Sequence, residues 1–481
     1  MSGVVFPRTG DGARSTSALG RAVAADALRD ADPVGARAAE HETNWRRGYL
    51  QHFRRLVEAG LTTPATAEQI AANGLDSLYR RMRVDIGVDE IRLDEALNRD
   101  AAAPLQTAVV SGHGTPEREL AIPYRGNRLH GSELARQLDR WVEAGILEPS
   151  CAEAVRAVMA NPDWLDLSDV KLVTFGAGAE MGPVRAWLRW GGSVTGIDLP
   201  RPGLWKELAD AARRYAGRLY LPVRPGEADM TQRAGADLVS ELPALRGWLE
   251  SLDGRLVLGN YVYADGATHV RVAMAVDALS ARLCRDRPDT ALSFLATPTD
   301  VFAVPPDAVE QSVAAYDQRS KLSLVRRPLK VLSAGRLLQR NYLPGADPGI
   351  CDSLVPQQGP NYALAKRLQR WRATTARAAG QVVSLNVAPP TRTRSVMKNR
   401  ALAAVYAGAH RFGVEVFEPG TANTLMAALL VHDLRRPVPR REHPWLDEAA
   451  GAAHGGLWRI AYAPRSALGL AGLVGITGAR T

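Results

Sequence analysis

Cysteine is scarce in this chain, with three residues among 481. Cys151, Cys284 and Cys351 lie far apart and lack the close spacing that zinc sites and redox-active pairs use, so neither is predicted. Unpaired, scattered cysteines are typical of proteins from a reducing compartment. We therefore expect a cytoplasmic protein without a metal site.

Long hydrophobic runs are also missing. No uncharged apolar stretch reaches the roughly 18 residues that a transmembrane helix needs, so no membrane span is expected. The first 25 residues carry charges and glycines where a secretory signal would need an unbroken apolar segment. The sequence therefore predicts neither membrane insertion nor secretion.

Lysine is rare as well, and arginine supplies most of the 60 basic residues that outnumber 51 acidic ones. The arginines are scattered rather than arranged in a stripe, so no nucleic-acid partner is predicted. One insertion, over about residues 305–356, is locally basic, with Arg319, Lys321, Arg326, Arg327, Lys330 and Arg336. It is predicted to be either a solvated insertion or a lid that binds anions.

The length of the chain exceeds what one hydrophobic core usually organises, so several domains or one domain with large additions are expected. Residues 1–42 show little apolar periodicity and are predicted to be a poorly ordered leader. Residues 43–165 repeat apolar side chains at helical spacing and are predicted to form a helical module. Residues 435–481 are predicted to be a C-terminal tail.

Short apolar strands alternate with helices between about residues 168 and 434. This alternation predicts a parallel sheet with helices on both faces. We therefore predict an α/β fold with a Rossmann-like, doubly wound parallel sheet. The predicted strands are 171–175, 193–197, 218–222, 255–258, 290–295 and 381–387.

A glycine-rich turn follows the first of these strands, in Gly176-Ala-Gly178-Ala-Glu-Met-Gly182. Small residues at such a turn allow backbone N–H groups to approach a pyrophosphate at a helix N-terminus. Asp198 ends the next strand, where a carboxylate can accept hydrogen bonds from ribose hydroxyls. This acid favours NAD(H), and the nearby Arg201 leaves NADP(H) open.

Tyr362 and Lys366 lie four residues apart in a helical pattern, which places them on one face of the helix. A phenol with a pKa of ~10 is a poor acid–base group at neutral pH, and a neighbouring ammonium group is expected to lower that pKa. The pair is therefore a candidate for proton transfer.

These features stand in one order along the chain and resemble the landmarks of the short-chain dehydrogenases/reductases over about residues 168–400. The landmarks are the glycine turn, Asp198, Asp229, Gly259, Asn260, Tyr362, Lys366 and the segment Asn386-Val-Ala-Pro389-Pro390-Thr391. The resemblance implies an oxidoreductase that interconverts an alcohol and a carbonyl of a small-molecule substrate. A homo-oligomer is expected by analogy alone.

The resemblance also implies roles for single residues. Tyr362 would donate or accept the proton, and Lys366 would bind the nicotinamide ribose. Thr297 or Thr299, after the fifth strand, would orient the carbonyl. Further cofactor contacts would come from Asp229 (to the adenine amino group), Gly259, Asn260, Pro389 and Thr391.

Two features of the sequence keep other functions open. Glu180 stands where the family has a glycine, so its carboxylate is expected near the pyrophosphate. Thr299 and Tyr362 are 63 residues apart, so the insertion must loop out to bring them together. The alternatives are a catalytically inactive Rossmann-fold protein that binds a nucleotide or a partner and, less favoured, an S-adenosylmethionine-dependent methyltransferase.

A group of polar and aromatic residues follows the strand at 255–258, where a substrate pocket would open. The group comprises Tyr261, Tyr263, Asp265 and His269. The sequence allows two interpretations, in which they either line the pocket or pack within a loop.

Overall fold

The computed structural model describes residues 3–101, 103–321, 333, 335–437 and 439–478. Its N-terminal part combines a small antiparallel sheet with helices. In chain order these elements are β1 (Gly3–Val5), α1 (Thr16–Leu28), α2 (Pro33–Glu40), α3 (Trp45–Gly60), α4 (Pro64–Arg81), β2 (Arg83–Asp85), β3 (Glu90–Ile91) and α5 (Leu93–Leu97). The sheet order is β1-β2-β3.

Helices α1 and α2 correct the prediction of a poorly ordered leader for residues 3–40. Ser15 caps α1 by accepting a hydrogen bond from the Ala18 N–H. The buried face of α1 contains several alanines, so it gives a weak periodic signal although it packs closely. A Cβ atom at Gly20 would lie only 2.4 Å from Nε1 of Trp45, which shows how near α3 approaches.

Residues 106–165 add further strands and helices before the main sheet. They are β4 (Gln106–Ser111), β5 (Ile122–Tyr124), β6 (Asn127–Leu129), α6 (Gly131–Glu143), α7 (Pro149–Ala160) and a short 3-10 helix, Pro162–Leu165. Strands β5 and β6 form a separate antiparallel pair.

The next strands are β7 (Val170–Phe175), β8 (Ser193–Ile197), β9 (Arg218–Val223), β10 (Arg255–Asn260), β11 (Ala291–Ala296), β12 (Val301–Val304), β13 (Gly349–Asp352) and β14 (Val383–Val387). In the described part of the chain, the main sheet has the order β14-β11-β10-β7-β8-β9-β4. All neighbours are parallel except β4, which is antiparallel to β9.

The parallel strands follow the order 3-2-1-4-5-6 that is typical of doubly wound nucleotide-binding folds. The predicted fold class is therefore confirmed. The strand order reverses between β7 and β10, and a crevice is expected outside the carboxyl ends of these two strands. The glycine turn follows β7, and Asn260 ends β10.

The helices that follow β7 in the described part of the chain include some that lie on each face of the main sheet. They are α8 (Val184–Arg189), α9 (Pro202–Arg214), α10 (Met230–Arg233), α11 (Leu242–Glu250), α12 (Ala267–Asp286), α13 (Pro306–Lys321), α14 (Pro360–Ala378), α15 (Arg394–Lys398), α16 (Arg400–Gly408), α17 (Pro419–Arg435), α18 (Pro444–Ala449) and α19 (Pro464–Gly478), with a 3-10 helix at Ala409–Phe412. Alternate residues of β7 enter the two cores. Val173 belongs to a core cluster with buried residues of α1, α4, α11, α12 and α14, whereas Leu172 belongs to a second cluster with buried residues of α6 to α9 and α17.

The regions outside the alternating core are more integrated than predicted. Since β4 pairs with β9, residues 43–165 are neither purely helical nor separate from the sheet. The predicted insertion over 305–356 contains α13 and β13, and Ser312 on α13 donates a 2.6 Å hydrogen bond to the Ile460 carbonyl. Arg326, Arg327 and Lys330 lie outside the described residues.

The predicted C-terminal tail also packs into the body of the protein. Arg459 donates to both oxygens of the buried Glu148 carboxylate at 2.7 Å, and His454 contacts the same carboxylate at 2.8 Å. The hydrogen bonds from Arg459 and His454 lower the pKa of Glu148 to about 2, although its burial opposes the shift. None of the helices in the described ranges combines the length and the apolar character needed to cross a bilayer.

Candidate functional site

The turn after β7 requires a glycine at position 176. Gly176 has a φ of +83°, and its N–H and that of Ala177 donate to the Ile197 carbonyl at 2.9 and 3.0 Å. A Cβ atom at position 176 would lie 3.0 Å from the Val262 Cα atom and 3.1 Å from the Tyr261 carbonyl oxygen. Both the backbone conformation and the close approach of the segment after β10 therefore favour glycine.

Asp198 ties the glycine turn to the end of β8. Its carboxylate accepts hydrogen bonds from the Gly178 N–H at 2.9 Å and from the Leu199 N–H at 2.8 Å. Each carboxylate oxygen can accept a second hydrogen bond, so the half-buried side chain retains capacity for ribose hydroxyls. Gly182 closes the turn by donating to the Ala179 carbonyl at 3.0 Å.

Glu180 contacts the segment that follows β14. One carboxylate oxygen accepts the Arg394 N–H at 2.7 Å, and the other lies 3.6 Å from Nε of the same arginine. Its backbone carbonyl accepts a 3.0 Å hydrogen bond from Asn423 on α17. The acid in the glycine turn is therefore held by the backbone N–H of Arg394, and the guanidinium of that residue lies nearby at 3.6 Å.

Tyr362 and Thr297 come together at the carboxyl end of β11. The side chain of Thr297, just after β11, lies close enough to the phenol of Tyr362, in the first turn of α14, to influence its pKa. Burial raises the pKa of Tyr362 above its ordinary value, and the Thr297 side chain offsets only part of the shift. This corrects the expectation of a lowered pKa, because the phenol remains protonated at neutral pH.

Thr299 supports Thr297 rather than the tyrosine. Its hydroxyl lies 2.9 Å from that of Thr297 and accepts a 2.5 Å hydrogen bond from the Gln358 amide. The intervening insertion loops out through β12, α13 and β13 before α14 begins. The two candidate hydroxyls are thus placed near Tyr362 despite the long separation in sequence.

Lys366 lies one turn beyond Tyr362 and reaches toward β11 and β10. Its amine donates to the Leu295 carbonyl and to Gln369 Oε1, both at 3.2 Å. Gln369 in turn donates to Asn260 Oδ1 at 3.1 Å. Burial lowers the pKa of Lys366 to about 8, although the charge of Asp300 opposes the shift.

Gly259 and Tyr261 pack together at the carboxyl end of β10. A Cβ atom at Gly259 would lie 2.3 Å from the Tyr261 ring, so only glycine leaves space for that ring. Tyr261 is buried, and its hydroxyl lies 2.8 Å from Ser293 Oγ on β11. Tyr261 therefore packs within the core, between β10 and β11.

His269 and Tyr263 lie against Tyr362. The ring centroids of His269 and Tyr263 are 5.3 and 6.3 Å from that of Tyr362. Nδ1 of the buried His269 lies 3.0 Å from the Ala264 carbonyl oxygen, whereas Nε2 has no hydrogen-bond partner within the described residues. Burial, together with the nearby Lys366 charge, lowers the pKa of His269 to about 4, so the ring is neutral at physiological pH.

Tyr406 on α16 is a further neighbour of Tyr362 that the sequence did not indicate. The two phenols are close enough to interact electrostatically, and burial raises the pKa of Tyr406. The sequence offers one indication that Tyr406 could lie near the site, which is its position in the helices after β14.

The side chains of Asp229 and Thr391, two further residues predicted to bind the cofactor, make hydrogen bonds to neighbouring residues of the chain. Asp229 is exposed and caps α10 by accepting the Thr231 N–H at 2.8 Å. Pro389 and Thr391 are buried, and the Thr391 hydroxyl donates to the Pro389 carbonyl at 2.8 Å. Within the described ranges, no group of three or more His, Cys, Asp or Glu side chains is arranged to hold a metal ion.

Comparisons with known proteins place the chain only loosely. No family model matches it, and no curated protein matches it. A solved C2-type ketoreductase from a modular polyketide synthase is 16% identical, with a TM-score of 0.31, over 56% of this chain and 47% of the other. A thiolation-reductase di-domain from an archaeal non-ribosomal peptide synthetase is 14% identical, with a TM-score of 0.28, over 58% and 54%.

The chain therefore spans about half the length of the solved chains that it matches. Because the resemblance is partial, the roles of residues in this chain follow from their own contacts.

Proposed function

We propose that this protein is an NAD(P)(H)-dependent oxidoreductase of the short-chain type, which interconverts an alcohol and a carbonyl of a small cytoplasmic molecule. The observation that carries the proposal is the contact between Thr297 and the Tyr362 phenol, with Lys366 one helical turn away. Two hydroxyl groups and an ammonium group at one crevice provide what a carbonyl oxygen needs when it gains negative charge.

Each side chain has a distinct part in this reaction. Tyr362, whose raised pKa keeps it a neutral phenol, donates its proton to the oxygen of the substrate during reduction and recovers it during oxidation. Thr297 orients the same oxygen. Lys366, with a pKa of about 8, is mainly charged at neutral pH and stabilises the phenolate that remains after the transfer.

The residues around the glycine turn fit a dinucleotide. Gly176 keeps the turn free of side-chain atoms, and Asp198 and Lys366 would hold the two riboses, with Asn260 supporting Lys366 through Gln369. The Asp198 carboxylate favours a ribose without a 2′-phosphate, so NAD(H) is the preferred cofactor and NADP(H) the second choice. When bound, the nicotinamide supplies or accepts the hydride.

A catalytically inactive, nucleotide-binding protein is the second candidate. It is favoured by the contact between Glu180 and Arg394, which brings the segment after β14 against the glycine turn. A methyltransferase would leave the Thr297 and Tyr362 pair without a role.

The two candidates differ in turnover and share cofactor binding. We would titrate NADH and NADPH by fluorescence and follow their oxidation with a panel of aliphatic, cyclic and aryl ketones and aldehydes. The oxidoreductase predicts turnover that Tyr362→Phe abolishes with cofactor affinity nearly unchanged. Tyr220→Phe on β9 is the matched control.

The remaining outcomes are equally informative. Binding of NADH without turnover of any carbonyl supports the inactive protein. Equal turnover by wild type and Tyr362→Phe contradicts the proton-transfer role. No binding at millimolar cofactor contradicts both candidates as nucleotide-binding proteins.

A further inference from the structure

Arg394 reaches the glycine turn from a distant strand. It begins α15, shortly after β14, and β14 is separated from β7 in the sheet by β11 and β10. Its backbone N–H donates to the Glu180 carboxylate at 2.7 Å, and its guanidinium Nε lies 3.6 Å from the other carboxylate oxygen, so the residue lies against the turn after β7. The segment after β14 therefore delivers a cation to the place where the fold binds phosphates.

The charge of Glu180 makes such a cation necessary. A pyrophosphate at this turn would bring two negative charges near the carboxylate, and like charges at this range repel. A backbone N–H group carries only a partial positive charge, whereas a guanidinium carries a full one and can pair with carboxylate and phosphate oxygens at once through its several N–H donors.

The exposure of Arg394 leaves most of these donors accessible. Its side chain is 76% exposed, and it lies beside a Glu180 side chain that is 27% exposed. Arg392, two residues earlier, is less exposed and pairs with a different carboxylate. It is 46% exposed and lies 3.3 Å from Glu418, which precedes α17. The same segment thus carries one arginine at the turn and one engaged elsewhere.

We propose that Arg394 binds the pyrophosphate of the nucleotide cofactor and offsets the charge that Glu180 adds to the glycine turn. This inference rests on the proposed function, because it requires a dinucleotide at the turn. It assigns the phosphate contact to a residue after β14, outside the turn itself.

Isothermal titration calorimetry with ADP and adenosine tests the assignment without any substrate. Arg394→Ala should weaken ADP binding roughly ten- to hundredfold, the range for a hydrogen-bonded charge pair, and should leave adenosine binding within about twofold. Arg392→Ala should change ADP binding less than about threefold, because the Arg392 guanidinium pairs with Glu418 away from the glycine turn. The wild-type affinity for ADP should also fall more steeply with salt than that of Arg394→Ala.

Three results would overturn the assignment. The first is that Arg394→Ala binds ADP as tightly as the wild type. The second is that its affinity for adenosine falls by the same factor as its affinity for ADP. The third is that Arg392→Ala loses as much affinity for ADP as Arg394→Ala does. If the wild type binds NADH and ADP while Arg394→Ala is unaffected, only this inference fails. If the wild type binds neither nucleotide, the proposed function fails with it.

Discussion

Helix α14 carries two groups of buried polar side chains that differ in how completely they are paired. Arg370 donates to Glu448 twice at 2.6 Å, to Asp300 at 2.7 Å and to the Val301 carbonyl at 2.9 Å. Arg372 donates twice to Asp277 at 2.8 Å. These arginines hold β12, α12 and α18 against the helix.

The polar groups at the first turns of the same helix, together with His269 of the neighbouring α12, are paired much less fully. Lys366 has only neutral acceptors, and His269 leaves Nε2 without a partner in the described part of the chain. Burying a polar group without a partner costs free energy, so such groups persist where another requirement outweighs stability. The difference indicates that the arginine end of α14 stabilises the fold, whereas the proposed function assigns the Tyr362 end to ligand binding.

Removing a charge from the paired end should give the largest effect on stability. Asp300→Ala leaves Arg367 and Arg370 buried without their shared carboxylate, which lies 2.8 and 2.7 Å from them. We expect the free energy of unfolding to fall by about 3–5 kcal/mol. Urea denaturation of the wild type and the variant measures this free energy.

The matched control is Asp286→Ala, which removes an exposed carboxylate that pairs with Arg282. That loss should cost less than about 1 kcal/mol. Equal costs for the two variants would show that the buried network does not stabilise the fold.

Lys366 should produce a pH-dependent effect of intermediate size. Its pKa is about 8 in the folded protein against 10.5 as the ordinary value, so the unfolded chain binds more protons between these pH values. The stability of the wild type relative to Lys366→Met should therefore rise by on the order of 3 kcal/mol as the pH increases from below 8 to above 10.5. Urea denaturation across this pH range measures the difference.

Lys206→Met, at an exposed position on α9, is the control and should show no such pH dependence. A flat difference between wild type and Lys366→Met would mean that the amine is not desolvated.

Two buried histidines show the same difference in pairing, with a smaller expected effect on stability. His454 has both ring nitrogens occupied, by Glu148 at 2.8 Å and the Gly456 N–H at 3.1 Å, whereas His269 has one nitrogen free of partners within the described residues. His454→Phe should cost about 1–3 kcal/mol and His269→Phe less than about 1 kcal/mol. Thermal and urea unfolding give both values. A larger cost for His269→Phe would place His269 among the stabilising groups.

The smallest change in stability is expected for Tyr362→Phe. Thr297 keeps Thr299 as a hydrogen-bond partner at 2.9 Å, so the free energy of unfolding should change by no more than about 0.5 kcal/mol. Carbonyl reduction should nevertheless fall roughly 100- to 10,000-fold in kcat/KM, the usual contribution of a positioned acid. A variant that is both unstable and active would reverse the assignment of the two ends of α14.

The sequence predicted the parallel strands well because each is a short, buried apolar run. It did not predict β4 as part of the main sheet, since Gln106, Thr107 and Ser111 give this strand a polar, exposed composition. Helix α1 was missed for a related reason, because much of its buried face is alanine. Both elements depend on partners that are distant in the chain.

For the site, the spacing of Tyr362 and Lys366 could be read from the sequence because it lies within one helix. The contact with Thr297 could not be derived from the residues alone, since α13 and β13 intervene. The unpaired Nε2 of His269 depends on where Ala264 directs the ring, and that is a property of the folded loop. The direction of the shift in the Tyr362 pKa was also predicted wrongly, because burial outweighs the effect of its neighbours.

The antiparallel pairing of β4 with β9 has a practical consequence for shortened forms of the protein. A chain trimmed to begin at residue 168 would lose β4 and leave the outer row of N–H and C=O groups on β9 without partners. Such a bare strand is a template for association with other chains. We therefore expect fragments that begin after residue 111 to aggregate, whatever nucleotide they bind.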